Sequence, residues 1–267
     1  MISTCIDGQE VPLPEQQAFI DRVLRSHALL VAGPGTGKTW TLARAAEHIV
    51  NARAASPEEI SVLTLTRSMA RSLAERIPYG CASTLHSFAL TALNRIGEAA
   101  GRRVADAWEQ ENLVEVDLQL GMLLEFKRRI DRRVVRRFLQ RMAASFRVDQ
   151  STSPDLDTTD RQLLTVFENQ RELFKYRLVD EIVWTLIRLL ESGVRLPKAP
   201  RYVLVDEYQD LTSGELRLLH ILAEQYETRV AACGDDRQSI FGFRDADPLA
   251  LHRFPKVYGL SNEEIDY

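Results

Sequence analysis

Four short apolar runs divide the chain: Ala28-Leu29-Leu30-Val31, Ile60 to Thr66 (ISVLTLT), Tyr202-Val203-Leu204-Val205 and Val230-Ala231-Ala232-Cys233. Runs of this length, bounded by polar or turn residues, predict strands buried on both faces. Elsewhere the period becomes helical. Leu42, Ala45, Ala46, Ile49 and Val50 recur at helical spacing within residues 40–51, and residues 67–77 and 213–226 read the same way. Ahead of the first run, Pro14-Glu15-Gln16-Gln17 opens a helix carrying Ala18, Ile20, Val23 and Leu24. Strand and helix in alternation predict an α/β fold, a parallel sheet flanked by helices. Residues 1–12 read as an irregular lead-in, Ser56-Pro57-Glu58-Glu59 as a short helical turn, residues 82–88 as a small polar turn, and Ser213 as a helix cap.

From about Thr91 the texture changes. Residues 91–196 hold long helical periods and no convincing strand. Phe126, Ile130, Val134, Phe138 and Met142 follow helical spacing with Val135 and Leu139 beside them, and the arginines take the opposite surface. Residues 149–160 are rich in Ser, Thr, Asp and Pro and read as a loop. Helical periods resume at 161–177 and 179–192, Gly193 is a plausible stop, and Pro197 and Pro200 precede the return to strand. The organisation expected is a discontinuous α/β domain, residues 1–90 and 197–267, interrupted by a helical subdomain at 91–196.

Composition narrows the class. With 267 residues and 45% hydrophobic content the chain can bury a core. A formal net charge of −4 denies it the overall basic excess of many nucleic-acid binders. Locally, Lys127, Arg128, Arg129, Arg132, Arg133, Arg136, Arg137 and Arg141 face only Asp131. That run is either a phosphate-contacting surface, with Arg129 and Arg133 as candidates, or a solvated helix face. No apolar stretch suits a membrane span or a signal peptide, and Cys5, Cys81 and Cys233 are isolated, so a reducing cytoplasm is expected.

The densest chemistry follows the first strand. Ala32-Gly33-Pro34-Gly35-Thr36-Gly37-Lys38-Thr39 lies between strand and helix, the context of a phosphate-binding loop. Its amides and the helix N-terminus favour an anion. Lys38 is expected to reach β- and γ-phosphates and Thr39 to hold Mg²⁺. Asp206 and Glu207 close the third strand, where paired acids are costly without a cation. Asp206 then completes the Mg²⁺ site, and Glu207 orients and deprotonates the attacking water. Thr64, Thr66 and Arg67 end the second strand, on the edge that faces a ligand crevice. The amide of Gln16 both donates and accepts, as adenine reading requires. After the fourth strand, Gln238 could sense a γ-phosphate, and Phe243 could stack on a base or cap the core. His86 stands alone, without a second His or Cys to suggest a metal site.

Pro14-Glu15-Gln16, residues 32–39, 63–67 and 83–87, Asp206-Glu207-Tyr208-Gln209-Asp210 and residues 234–244 stand in order over about residues 13–247. In that order and spacing the chain resembles the N-terminal half of the UvrD/Rep-type superfamily 1 DNA helicases. The resemblance implies a RecA-like P-loop NTPase domain with a helical insert near the duplex junction. It implies ATP and Mg²⁺ as cofactors, held by Lys38, Thr39, Asp206 and Glu207, with Gln16, or Gln17 in the alternative register, on adenine. Gln238 and Arg244 would couple the γ-phosphate to DNA. Thr66, His86 and Phe243, with Arg67 beside them, would touch single-stranded DNA. The implied activity is ATP-dependent translocation and unwinding in a complete enzyme.

Departures from the family pattern are Leu65 and Leu85 in place of common aromatics, Arg67 in place of a common Asn, and Phe243 where Trp is usual. They shift the expected DNA contact toward phosphates. Such helicases close ATP between two RecA-like domains. This sequence stops at Tyr267, about where the second would begin. The expectation is a chain that binds ATP and hydrolyses it poorly alone, with the second half supplied by another domain or chain. The alternative is a nucleotide- and partner-binding module without turnover.

Overall fold

The computed structural model describes residues 4–6, 9–97, 102–148, 156–235, 237, 245–261 and 264–266. The four apolar runs all become strands: β3 (Ala28–Val31), β4 (Ile60–Thr64), β8 (Tyr202–Val205) and β9 (Arg229–Gly234). With β5 (Cys81–Thr84) and β10 (Ile265–Asp266) at the edges they form a parallel sheet of order β10-β3-β9-β8-β4-β5. Helices α1 (Pro14–Arg22), α2 (Lys38–Asn51), α3 (Arg67–Arg76), α10 (Ser213–Tyr226) and α11 (Ala250–Tyr258) accompany it. Phe19, Leu30, Leu42, Ile49, Val62 and Leu204 meet in one buried cluster, which fastens α1 and α2 to the sheet. Arg22 at the end of α1 pairs with Asp266 at 3.2 Å and ties in the β10 edge.

Register places the site. Val31 lies opposite Gly234, and Ala232 opposite Val205, so β3, β9 and β8 end on one edge of the sheet. In an open parallel sheet that edge holds the ligand crevice. One site shared by Lys38 and Asp206 predicts that the two sit on neighbouring strand ends. Instead β9 lies between β3 and β8, a gap of roughly 10 Å at ordinary strand spacing. The glycine loop and first turn of α2 span it.

Other local expectations are corrected. The lead-in contains an antiparallel pair, β1 (Thr4–Ile6) with β2 (Gln9–Val11). The 82–88 turn is instead β5 followed by α4 (Leu85–Ile96), because a short polar edge strand lacks an apolar run. The second strand ends at Thr64, since Thr66 turns out to cap α3 and accepts from the Met69 amide at 3.2 Å. The cap of α10 is Thr212, whose hydroxyl accepts from the Glu215 amide while Glu215 returns a carboxylate to the Thr212 amide.

The chain divides into two compact units, Met1–Phe88 with Leu196–Tyr267, and Ala89–Arg195. In the second, α5 (Ala107–Glu109) runs through a π turn at Gln110–Val114 into α6 (Glu115–Phe126). Helices α7 (Arg132–Arg147), α8 (Thr158–Phe174) and α9 (Glu181–Glu191) complete it. Its core joins Leu118, Met122, Phe138, Leu139, Leu163 and Phe167. This unit does contain strands: β6 (Arg103–Ala105) and β7 (Tyr176–Leu178) pair in parallel. Three residues with arginine at an end or centre give no period to read.

The helical spacing through Phe126 and Ile130 also breaks. Lys127 adopts a left-handed conformation, φ 54°, and Asp131 caps a new helix by accepting from the Arg133 amide. The basic face is partly neutralised. Arg132 and Arg136 bond to the buried Glu115, and Arg141 to the buried Asp160. Arg129 and Arg133 are exposed. Among the described residues no helix is long and apolar enough to cross a membrane.

Candidate nucleotide-binding site

The loop after β3 is built for close approach to a ligand. Gly35 and Gly37 take φ of +71° and +86°, which side chains rarely adopt. The Ala32 amide donates to the Gly234 carbonyl at 2.9 Å and continues the ladder with β9. The Thr36 hydroxyl donates to Gly33 O at 2.7 Å and closes the turn around Pro34. Gly37 caps α2, so Lys38 and Thr39 open that helix with its unpaired amides beside them.

Lys38 is 8% exposed; its ammonium donates to Ala32 O at 3.1 Å and lies 3.9 Å from the Glu207 carboxylate. Thr39 Oγ1 donates to Asp206 Oδ2 at 3.2 Å. Burial, and then the neighbouring Glu207 charge, push the Asp206 carboxyl up to about 6, against the Thr39 hydroxyl and Lys38, which lower it. Two carboxylates thus share one nearby ammonium. A hydroxyl and a carboxylate oxygen at this spacing suit a hard cation such as Mg²⁺, which keeps waters and phosphate oxygens as its other ligands. That fits a metal–triphosphate better than a protein-only metal cage, and among the described residues no group of three His, Cys, Asp or Glu could hold a metal.

Glu207 has φ +53°, a conformation that costs a non-glycine residue of order 1 kcal/mol. It turns the carboxylate back toward Lys38. Gln209 donates from Nε2 to Glu207 Oε2 at 2.8 Å and accepts from the Asp235 amide at 3.0 Å. Sequence reasoning passed over Gln209. Its signal was an amide two residues beyond a catalytic-type acid.

Gln16 is buried against the loop: Nε2 donates to Thr36 O at 3.0 Å, and Oε1 accepts from the Leu13 amide at 2.8 Å. Gln17 is exposed and bonds to Asp21 at 2.8 Å. Of the two registers, only Gln16 meets the loop.

Thr66, Arg67 and His86 gather on the same sheet edge, around the ends of β4 and β5, whose residues Thr64 and Thr84 pair in register. Thr66 is engaged as a helix cap, and Arg67 is exposed. His86 Nδ1 lies 3.6 Å from Glu215 Oε1, a partner no local pattern announced. Arg129 and Arg133 belong to the other unit. Gln238, Phe243 and Arg244 lie outside the described residues.

A family model described as UvrD/REP helicase N-terminal domain matches residues 13–259. An ATP-dependent DNA helicase PcrA of Staphylococcus epidermidis is 24% identical over 266 residues, covering 91% of this chain and 36% of that protein. A PcrA of Staphylococcus aureus is 25% identical over 257 residues, covering 88% and 34%. The chain spans about a third of the length of these curated relatives.

Proposed function

The chain belongs to the UvrD/REP helicase N-terminal domain family, and on that basis we propose that it is the ATP-binding motor domain of a UvrD-like DNA helicase. In this reading Met1–Phe88 with Leu196–Tyr267 is the RecA-like nucleotide domain, and Ala89–Arg195 is its inserted subdomain. The observation that carries the reading is the 3.2 Å approach of Thr39 to Asp206, from positions 167 residues apart, beside Lys38 and Glu207.

When bound, Mg-ATP would supply the anhydride to be cleaved and a cation that stabilises charge developing on the phosphates. Lys38 and the N-terminal amides of α2 hold the phosphates by charge and hydrogen bond. Thr39 and Asp206 provide protein oxygens to the cation. Glu207 orients the attacking water and takes its proton. Gln16 reads the adenine, a role supported by its contact with the loop at Thr36 O. Thr66, Arg67 and His86 contact single-stranded DNA on the other half of the same edge, with Phe243 as a stacking residue. Gln238 and Arg244 link the γ-phosphate to that DNA face, and Arg129 and Arg133 hold phosphates near a duplex junction. A second RecA-like domain, in cis or from a partner chain, supplies arginines worth roughly 10³–10⁵ in rate. Without those arginines, bound Mg-ATP turns over slowly.

The test is calorimetric titration of Mg-ATP into the wild-type chain and Lys38→Ala. Loss of measurable binding in the variant is the expected result. Equal affinity in both removes the nucleotide assignment.

A further inference from the structure

Gln209 is 4% exposed and uses both ends of its amide at once. Nε2 donates to Glu207 Oε2 at 2.8 Å, and Oε1 accepts from the Asp235 amide at 3.0 Å. Those partners end β8 and β9, adjacent strands of the sheet. The residue beside the bridge is cut to fit it. A Cβ on Gly234 would stand 2.7 Å from Gln209 Oε1 and 2.8 Å from Leu251 Cδ2. Gly234 has no positive φ to explain it, so what glycine provides here is room. Glu207 itself is held in a left-handed conformation that it would not keep unaided.

We infer that Gln209 is a positioning residue: its amide fixes the Glu207 carboxylate by tying it to the backbone at the end of β9. The inference rests on the nucleotide reading for its catalytic consequence but not for the bridge itself. A carboxamide suits the place because one arm must donate and the other accept. Methionine, of similar length, breaks both links. Glutamate keeps an acceptor for the Asp235 amide and loses the donor to Glu207. The two substitutions therefore separate the arms.

The experiment combines amide hydrogen exchange at Asp235, Mg-ATP affinity by calorimetry, and single-turnover hydrolysis with enzyme in excess. Gln209→Met should speed Asp235 exchange, leave affinity within about two-fold, and slow hydrolysis roughly 10- to 100-fold, the usual cost of losing an outer hydrogen-bond partner. Gln209→Glu should keep the Asp235 amide protected yet slow hydrolysis similarly. Gly234→Ala, which displaces the amide without altering it, should reproduce the methionine result. Unchanged Asp235 exchange in Gln209→Met overturns the bridge. Hydrolysis within two-fold of wild type in both Gln209 variants, or none in the wild type with Mg-ATP bound, overturns the positioning role. Failure of the wild-type chain to bind Mg-ATP sinks the nucleotide reading instead, and the exchange measurement still decides whether the bridge exists.

Discussion

Replacing Asp206 by asparagine removes one charge and keeps the side chain's shape. Both local bonds can survive: asparagine Oδ1 accepts from the Glu207 amide, now 3.2 Å from Asp206 Oδ1, and its Nδ2 donates to the Thr39 hydroxyl. In the wild-type protein burial, then the Glu207 charge, raise this carboxyl from 3.8 to about 6. A folded-state value above the unfolded one means the native state prefers the proton. The ionised form thus costs stability, fully so well above pH 6, less as pH falls through 6, and almost nothing only once pH is below 3.8. The rise from 3.8 to about 6 corresponds to about 3 kcal/mol. Without metal or nucleotide, Asp206→Asn should therefore melt roughly 6–10 °C above wild type at pH 8. The gap should shrink steadily from about pH 7 and close by about pH 3. Adding Mg-ATP should reverse the order, because only the wild type retains the carboxylate and gains binding free energy. Thermal melts followed by circular dichroism at several pH values test all three parts. A variant that melts at or below wild type at pH 8, or a gap that ignores pH, refutes the account in which burial and the Glu207 charge outweigh Thr39 and Lys38 at this carboxylate.

Other perturbations probe separate parts of the molecule. Glu207→Gln should retain Mg-ATP affinity and lose roughly 10²–10⁴ in single-turnover rate, the contribution of a general base; an unaltered rate assigns that role elsewhere. Alanine at both Arg129 and Arg133 should reduce the salt slope of binding to a single-strand/duplex junction by about 2, and an unchanged slope removes them from the DNA face. A Cβ at Gly121 would meet Val166 Cγ1 at 2.2 Å. Gly121→Ala should cost about 1–3 kcal/mol in denaturant titration, and Val166→Ala added to it should recover part of that. Full wild-type stability in the single variant would mean that α6 and α8 separate freely.

What the sequence determined alone was whatever depends on a few neighbouring residues. Apolar runs at Ala28, Ile60, Tyr202 and Val230 marked buried strands because each is short and bounded. The loop at residues 32–39 declared its chemistry because Gly35 and Gly37 need special backbone angles and Lys38 and Thr39 open a helix. Tertiary structure decided everything that pairs distant positions. No period in the chain says that β9 enters between β3 and β8, or that Glu115 neutralises Arg132 and Arg136 from across a helix pair. Nor could β6 and β7 be read, since among the described residues each pairs only with the other and three residues carry no alternation. The same holds at the site. Thr39 meets Asp206, and Gln209 meets the Asp235 amide, through the register of parallel strands. Local preference acts over a turn or two of chain, whereas register follows from packing a whole sheet, so the parts were legible and their meeting was not.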